Sequence, residues 1–206
     1  MEIITNEKDE HEALVKDSTR LLTVLHEYEH DKEHKYLAKY INVLFGLKCS
    51  KIDYDKLNGI CNAIYYSAGQ GYDVKVFDLQ KGIKDYLANI DSTLDYLHKF
   101  LSELKDKNNR KIIDFDRESL EFANDINDFR NEVLHEGVPT ISFDEQNYYE
   151  SCHTNTSGVQ KTYYLIKVRF NDSKKEYNLK SFIDYTYSST RKKVQEVTNK
   201  ILNIFQ

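Results

Sequence analysis

Residues 83–104, with the sequence IKDYLANIDSTLDYLHKFLSEL, carry the clearest periodic signal in this chain of 206 residues. The apolar side chains that recur there at intervals of four and three are Ile83, Leu87, Ile90, Leu94, Leu97, Leu101 and Leu104. At about 100° per residue, this spacing lays one continuous apolar stripe along a helix of about six turns. We therefore predict a packing helix, which could belong to the core of a helical bundle or to a dimer interface.

The composition favours a mainly helical chain with one substantial core. The chain has one Pro, seven Gly and no Trp, whereas turn-rich sheet proteins use more Gly and Pro. With 40% hydrophobic residues over this length, the chain can bury a core without a metal or disulfide staple. We expect no cofactor and no metal.

The cysteines and the N-terminal residues indicate the cellular compartment in which the protein is expected. Cys49, Cys61 and Cys152 are widely spaced and do not form the close pairs of a zinc ribbon or redox motif, which suggests a reducing environment. The N-terminal residues lack the basic start and apolar run of a signal peptide, and no stretch approaches the roughly 20 apolar residues of a membrane span. These features predict a soluble, cytoplasmic protein without membrane contact.

The charge is unevenly distributed along the chain. Residues 140–206 hold 10 Lys and Arg against 7 Asp and Glu, a balance of +3, which leaves 19 against 27, or -8, for residues 1–139. The net charge of -5 argues against a general nucleic-acid coat protein, because such proteins neutralise phosphates with Lys and Arg. Local phosphate contact stays possible in the C-terminal third, although an ordinary solvated surface explains the small excess equally well.

The N-terminal region is predicted to be helical from about residue 6 to residue 45, as one helix or two. The apolar positions at helical spacing there are Leu14, Leu21, Leu25 and Tyr28, followed by Leu37, Ile41 and Leu44. Gly46 is expected to end this region. Asp53 or Asp55 would then cap a short helix to about Ala68, which residues 69–71 break.

The chain after residue 104 is predicted to form a charged linker, a helix, strands and a last helix. Asp114 or Asp116 would cap a helix that runs to about Glu136, because Gly137 and Pro139 end it. The pattern then changes to period two. The residues on one strand face are Tyr164, Ile166, Val168 and Phe170, and those on the other are Tyr163, Leu165, Lys167 and Arg169.

The strands and the last helix complete the C-terminal third. A turn at residues 171–174 leads to a return strand at 176–179, and residues 141–143 are expected to add a third strand. Ser181 with Asp184 resembles a capping pair for the final helix. Its predicted apolar positions are Ile183, Val194, Val197, Ile201 and Ile204.

The helix before Gly137 has two contrasting faces. Its apolar stripe consists of Phe122, Ile126, Phe129 and Val133, and the opposite ridge consists of Asn124, Asn127, Asn131 and His135. Exposed helix faces usually carry Lys and Glu, and Asn is a poorer helix former. A ridge of amides and an imidazole therefore suggests a polar contact or a functional site.

The segment Arg130-Asn131-Glu132-Val133-Leu134-His135-Glu136-Gly137 resembles the Arg-x4-6-His signature of the HEPN superfamily. The resemblance covers about 20 residues, and the preceding helices are compatible with it. In that family two all-α protomers pair so that their Arg/His segments converge, and active members cut RNA without a metal. The resemblance implies Arg130, Asn131 and His135 as catalytic residues.

These three residue types suit RNA cleavage through the ribose 2′-hydroxyl. Histidine exchanges protons near neutral pH, since its unperturbed pKa is about 6.5, so His135 is the predicted acid or base. Arg130 is a permanent cation whose geometry matches a phosphate, and it would stabilise the phosphorane. Asn131 would orient the imidazole or hold a phosphate oxygen.

The spacing of these residues raises a geometric difficulty. Five residues correspond to about 140° around a helix, so Arg130 and His135 of one chain point to different sides. A site between two chains, a long Arg side chain or a distorted last turn would close the gap. In the competing structural interpretation, Arg130 pairs with Glu132 or Asp128 and His135 caps the helix C-terminus.

Other signals are weaker. Residues 26–30, His-Glu-Tyr-Glu-His, match the zinc-protease pattern, but a third ligand is lacking and a polar helix face is the more ordinary explanation. The tyrosines weighed as base-stacking residues are Tyr148, Tyr149, Tyr163, Tyr164, Tyr177, Tyr185 and Tyr187, and packing is the commoner role. Residues 191–193, Arg-Lys-Lys, are expected to be a solvated helix face rather than an RNA clamp.

Together these features predict a mainly α fold: a HEPN-like helical bundle in residues 1–139, then a small antiparallel β-hairpin and a C-terminal helix packed on the bundle in residues 140–206. The predicted function is a metal-independent endoribonuclease that acts on RNA as a homodimer in a defence or toxin-antitoxin setting, with a possible cognate antitoxin or partner protein. The alternative is a non-catalytic HEPN-like binding or assembly module, suggested by the acidic N-terminal two-thirds and the stripe in residues 83–104.

Overall fold

A computed structural model describes residues 2–28, 33–66, 72–106, 108, 110–117, 120–135, 139–150, 159–169 and 176–205. The elements in this part of the chain are α1 (Glu2–His26), α2 (Lys35–Tyr66), α3 (Tyr72–Glu103), α4 (Glu121–His135), β1 (Thr140–Glu150), β2 (Val159–Arg169), β3 (Glu176–Asn178) and α5 (Leu179–Phe205). The protein is therefore mainly helical, with a small antiparallel sheet and a C-terminal helix, as predicted.

Contacts within the chain define two compact units. Unit 1 comprises Met1–Cys49, Asn89–Asn124 and Ser188–Gln206, and unit 2 comprises Ser50–Ala88 and Asp125–Tyr187. Helices α2, α3, α4 and α5 contribute residues to both units. The division at residues 139 and 140 stays a prediction.

The apolar stripe of α3 is the core element that its spacing predicts. All seven side chains from Ile83 to Leu104 are at most 1% exposed. They are covered by the chain itself, so the stripe is core and not a dimer interface. The helix also begins earlier than the stripe, at Tyr72.

The sequence predicted that the N-terminal helical region ends at Gly46. Helix α2 instead continues through Gly46 to Tyr66. A methyl group on Gly46 would lie 2.8 Å from Oγ1 and 3.2 Å from Cα of Thr93. Gly46 therefore lets α2 approach α3 closely, and this packing outweighs the cost of about 1 kcal/mol for Gly inside a helix. Asp53 and Asp55 lie within α2 rather than at its start, where they pair with Lys56 and Lys51.

The buried face of α2 also differs from the prediction. Tyr40, Val43 and Leu47 are buried, whereas Ile41 is 48% exposed. The Tyr40 hydroxyl lies 3.0 Å from Ser18 Oγ of α1 and 2.7 Å from Thr198 Oγ1 of α5. These bonds satisfy a buried phenol, and they orient α2 so that Ile41 points outward.

Helix α4 begins at Glu121, so the predicted caps Asp114 and Asp116 are wrong. Asp114 instead pairs with Lys111 at 2.7 Å. The segment before α4 is anchored to α3 in unit 1, because Arg117 pairs with both Asp91 and Asp95. Because of this anchoring, the segment is not helical, and α4 begins only at Glu121.

Helix α5 also begins earlier than predicted. Asn178 Oδ1 accepts the backbone N–H of Ser181 at 3.0 Å, so Asn178 is the cap. Asp184, the predicted partner of Ser181, accepts the Tyr54 hydroxyl at 2.8 Å instead. Of the predicted apolar positions, Ile204 is 52% exposed and the other four are buried.

The sheet has the strand order β1-β2-β3, and both pairs are antiparallel. Strand β1 extends further than the predicted three residues and pairs with β2 from Thr140↔Arg169 to Glu150↔Val159. Ile166 and Val168 are buried, whereas Leu165 and Lys167 are half-buried and Arg169 is exposed, so the described side chains of β2 alternate as predicted. The turn at residues 171–174 lies outside the described residues.

Two helical glycines of unit 2 give opposite expectations for substitution by alanine. A methyl group on Gly82 would lie 2.7 Å from Cδ2 of the fully buried Leu57, so Gly82→Ala should destabilise by about 1–3 kcal/mol through overpacking. Gly59 has no atom within 4 Å of this position, so Gly59→Ala should stabilise by about 0.5–1 kcal/mol. Urea unfolding of both variants measures the changes, and a gain from Gly82→Ala would contradict this packing.

Tyr86 should make stability fall at alkaline pH. Its side chain is fully buried, and its hydroxyl donates to Ile183 O at 3.0 Å and lies 2.7 Å from Thr186 Oγ1. Burial raises the pKa of Tyr86 well above its ordinary 10.0. Above about pH 10 the unfolded chain therefore releases a proton that the folded chain keeps, which lowers the free energy of unfolding by up to about 1.4 kcal/mol per pH unit.

The matched variants are Tyr86→Phe and Tyr185→Phe, since Tyr185 is 59% exposed and lies on α5, the helix that contacts the Tyr86 hydroxyl. Urea unfolding from about pH 9 to pH 11 should show a shallower loss of stability for Tyr86→Phe than for the wild type. Tyr185→Phe should behave as the wild type does. Equal pH dependence of Tyr86→Phe and the wild type would contradict the role of Tyr86.

Candidate functional site

Helix α4 carries the predicted site, and its apolar face is confirmed. Ile126, Phe129 and Val133 are buried, and Phe122 is half-buried. These residues recur at three- and four-residue intervals, which is the spacing of one helix face. Because Ile126, Phe129 and Val133 face the core, the residues on the opposite side of α4 must face outward.

An aromatic cluster holds α4 in place within unit 2. The ring of Phe129 lies 5.3 Å from that of Tyr177 and 5.8 Å from that of Phe182, both in edge-to-face geometry. The Tyr177 and Phe182 rings are 5.5 Å apart. Three mutually contacting rings favour one arrangement, so they fix α4 against β3 and the start of α5.

Tyr177 was one of the tyrosines weighed for base stacking, and the structure gives it this packing role. Burial, followed by the negative charge of Asp125, raises the pKa of its hydroxyl. Tyr187 is also packed, with its ring 4.9 Å from that of Tyr54. Tyr185 is exposed. The side chains of Tyr148, Tyr149, Tyr163 and Tyr164 lie outside the described residues.

The polar ridge of α4 is linked by hydrogen bonds. Arg130 Nη1 donates to Asn131 Oδ1 at 3.0 Å, and Asn131 Nδ2 donates to Asn127 Oδ1 at 3.4 Å. All three residues are half-buried. The structure therefore brings together two predicted site residues, Arg130 and Asn131. It adds Asn127, whose four-residue spacing from Asn131 was the signal in the sequence.

His135 is the last residue of α4, and its side chain lies outside the described residues. The backbone is α-helical from Glu121 to His135, so the distorted turn considered above does not occur before His135. Positions 130 and 135 of this regular helix are therefore about 140° apart around its axis. The helix of one chain thus places the two positions on different sides.

The electrostatics of α4 are unfavourable for a phosphate. Its sequence carries four carboxylates and one Arg. Glu132 is buried, at 9% exposure, and Asp128 is exposed. Because like charges repel, a phosphate near α4 needs more positive charge than Arg130 alone supplies.

The zinc-protease pattern does not form the required helix geometry. Its two histidines must lie one turn apart on one helix, but α1 ends at His26, and Glu27 already follows it. His30 lies outside the described residues. Across the described part of the chain, no group of three or more His, Cys, Asp or Glu residues could hold a metal ion.

Two further features have structural explanations. Arg191 is 7% exposed and pairs with Glu10, so the expectation that residues 191–193 form a solvated face is wrong for Arg191. Cys61 lines a cavity of about 290 Å³ beside Lys180 and Asp184. Burial raises the pKa of the Cys61 thiol to about 12, so it stays protonated and is a poor nucleophile near neutral pH.

Comparisons with models of protein families, with curated proteins and with solved structures give no match. The resemblance to the HEPN superfamily therefore rests on residues 130–137. Among the described residues, none of the helices has the length and apolar character needed to cross a membrane.

Proposed function

We propose that the protein is a metal-independent endoribonuclease of HEPN type that acts as a homodimer. The observation that carries the proposal is the hydrogen-bonded series Arg130–Asn131–Asn127 on a regular helix that ends at His135. A positioned cation and a nearby histidine are the groups that cleavage through a 2′-hydroxyl requires.

In the proposed reaction the ribose 2′-oxygen attacks the adjacent phosphorus. The P–O2′ bond forms, the P–O5′ bond breaks, and the products carry a 2′,3′-cyclic phosphate and a 5′-hydroxyl. His135 exchanges the protons, accepting that of the 2′-hydroxyl or donating one to the leaving 5′-oxygen. Arg130 stabilises the added negative charge of the phosphorane.

Asn131 positions Arg130 in this proposal. Its side-chain oxygen accepts a hydrogen bond from the guanidinium and is neutral, so the bond orients Arg130 without cancelling its charge. Asn127 in turn accepts from Asn131, which limits rotation of that amide. Such fixed donors stabilise a transition state better than mobile ones, because they need little reorganisation.

The homodimer is supported by the geometry of α4. The angle of about 140° between Arg130 and His135 is bridged if each site takes one residue from each chain. A two-fold dimer then forms two equivalent sites, each with Arg130 of one chain and His135 of the other.

The resemblance extends the proposal to a biological setting. HEPN-type ribonucleases occur in defence and toxin-antitoxin systems, so RNA and a cognate antitoxin or partner protein are the proposed partners. The alternative, a non-catalytic binding or assembly module, loses one of its two supports, because the stripe in residues 83–104 is buried within the chain.

The first test is cleavage of labelled RNA by the purified protein in EDTA. Cleavage should persist and leave 2′,3′-cyclic phosphate ends. His135→Ala should lower the rate by about 10²–10⁴-fold, and Arg130→Ala by about 10²–10³-fold. His11→Ala and Arg110→Ala are matched controls at exposed positions and should retain wild-type rates. Equal rates for His135→Ala and the wild type, or no cleavage of any RNA, would overturn the proposal.

A mixing experiment tests whether the site is shared between chains. Arg130→Ala and His135→Ala are each inactive alone, but a mixed dimer would have one site with both residues intact. Random exchange of subunits should therefore restore up to about a quarter of the wild-type sites. If the mixture stays as inactive as its components while native mass spectrometry shows that mixed dimers form, the shared site is wrong.

A further inference from the structure

Unit 1 has large apolar side chains on its surface where α2 passes α3. Phe45 and Ile41 of α2 are 65% and 48% exposed, and Tyr96 of α3 is 36% exposed. Ile41 and Phe45 are four residues apart and therefore lie on the same helix face. Tyr40, Val43 and Leu47 form the buried face of α2. Ile41 and Phe45 therefore form a second apolar face, which is exposed.

Close packing of the two helices brings these side chains together. A methyl group on Gly46 would lie 3.4 Å from Cδ2 of Tyr96, so the Tyr96 ring lies beside the turn of α2 that carries Phe45. Lys39 Nζ lies 2.7 Å from Glu103 Oε1, a second contact that shows the helices to be antiparallel here. Lys99, one turn after Tyr96, lies on α3 between these two contacts, as Ile41 and Phe45 do on α2.

Two exposed lysines lie near these aromatic rings. Lys48 lies one turn after Phe45, and Lys48 and Lys99 are both exposed and form no ion pair with the described residues. Of the carboxylates that flank Tyr96 and Lys99 on α3, Glu103 pairs with Lys39, and Asp95 shares the guanidinium of Arg117 with Asp91. Lys48 and Lys99 thus stay available to a polyanion in a chain whose net charge is -5.

We propose that Ile41, Phe45, Lys48, Tyr96 and Lys99 form an aromatic–lysine surface that binds single-stranded RNA. Bases stack on the two rings, and Lys48 and Lys99 contact the phosphates. This inference rests on the proposed function: it takes RNA as the substrate and specifies that the RNA is unpaired. Duplex RNA hides the faces of its bases, so it cannot stack on these rings.

Charge favours RNA over a second copy of the chain as the occupant. A two-fold interface would place this surface against its own copy and would bring Lys48 and Lys99 of both chains together. Such repulsion opposes dimerisation through this face, whereas the same lysines attract a polyanion. The aromatic–lysine surface is therefore a substrate surface, separate from the proposed dimer contact at α4.

The test measures binding without cleavage. The full-length protein is titrated into a fluorescent single-stranded 2′-O-methyl RNA on the order of ten nucleotides long, which has no 2′-hydroxyl to attack. Phe45→Ala and Tyr96→Ala should each weaken binding about tenfold or more. Phe77→Ala is the matched control, because Phe77 is 68% exposed on α3 in unit 2, and it should bind as the wild type does.

Salt dependence tests the phosphate contacts. Lys48→Gln and Lys99→Gln should each reduce the slope of log K against log salt by about 0.7, the value for one phosphate of a single strand. Lys16→Gln, at an exposed position of α1, is the control and should keep the wild-type slope. Ultraviolet crosslinking should attach RNA to a peptide containing Phe45 or Tyr96.

The outcomes separate this surface from the ribonuclease. Loss of binding in Phe45→Ala, with crosslinks on these peptides, supports the surface even if His135→Ala shows that no cleavage occurs. Wild-type binding by Phe45→Ala and Tyr96→Ala overturns the surface, even if the protein cleaves RNA. A Phe45→Ala variant that loses a dimer in light scattering, with RNA crosslinked elsewhere, also overturns it and identifies a self-association face.

Discussion

Burial of the α3 stripe is the constraint on which the other elements depend. Its seven side chains are at most 1% exposed, and full burial of such side chains contributes roughly 1.5–3 kcal/mol each. The benefit requires close contact, and small residues make that contact possible. Gly46 of α2 meets Thr93 in unit 1, and Gly82 of α3 meets Leu57 in unit 2. Gly46, which looks like a helix stop in the sequence, therefore allows α2 and α3 to pack closely, and Gly82 does the same in unit 2.

This packing also decides which side chains remain for function. Once Tyr40 and Val43 face the core, Ile41 and Phe45 must face solvent, because they lie on the other side of α2. Helix α4 follows the same logic. The contact of Phe129 with Tyr177 and Phe182 fixes the inward face, and Arg130 and Asn131 lie beside it rather than within it. Both proposed RNA contacts are therefore consequences of how the helices meet the core.

Much of the architecture could be predicted because the relevant signals are local. The α3 stripe, the apolar face of α4 and the alternation of β2 were predicted correctly from period and composition. The errors concern the ends of elements and the orientation of α2. Asp116 and Ser181 have the residue types of helix caps, but anchoring by Arg117 and the cap at Asn178 decide where α4 and α5 begin. The Arg117 contacts join residues that are distant in sequence, whereas the cap at Asn178 is local and lies three residues before Ser181.

By itself, the sequence determined the helical periods, the strand alternation and the spacing from Arg130 to His135, since each depends only on the order of neighbouring residues. The tertiary structure decided that the α3 stripe is core, that Gly46 is a contact point and that Phe45 and Tyr96 are exposed. It also linked Arg130 to Asn131 and Asn127 on an undistorted helix. The reason is physical: periodicity fixes which side chains share a face, but only packing between distant segments fixes what each face meets.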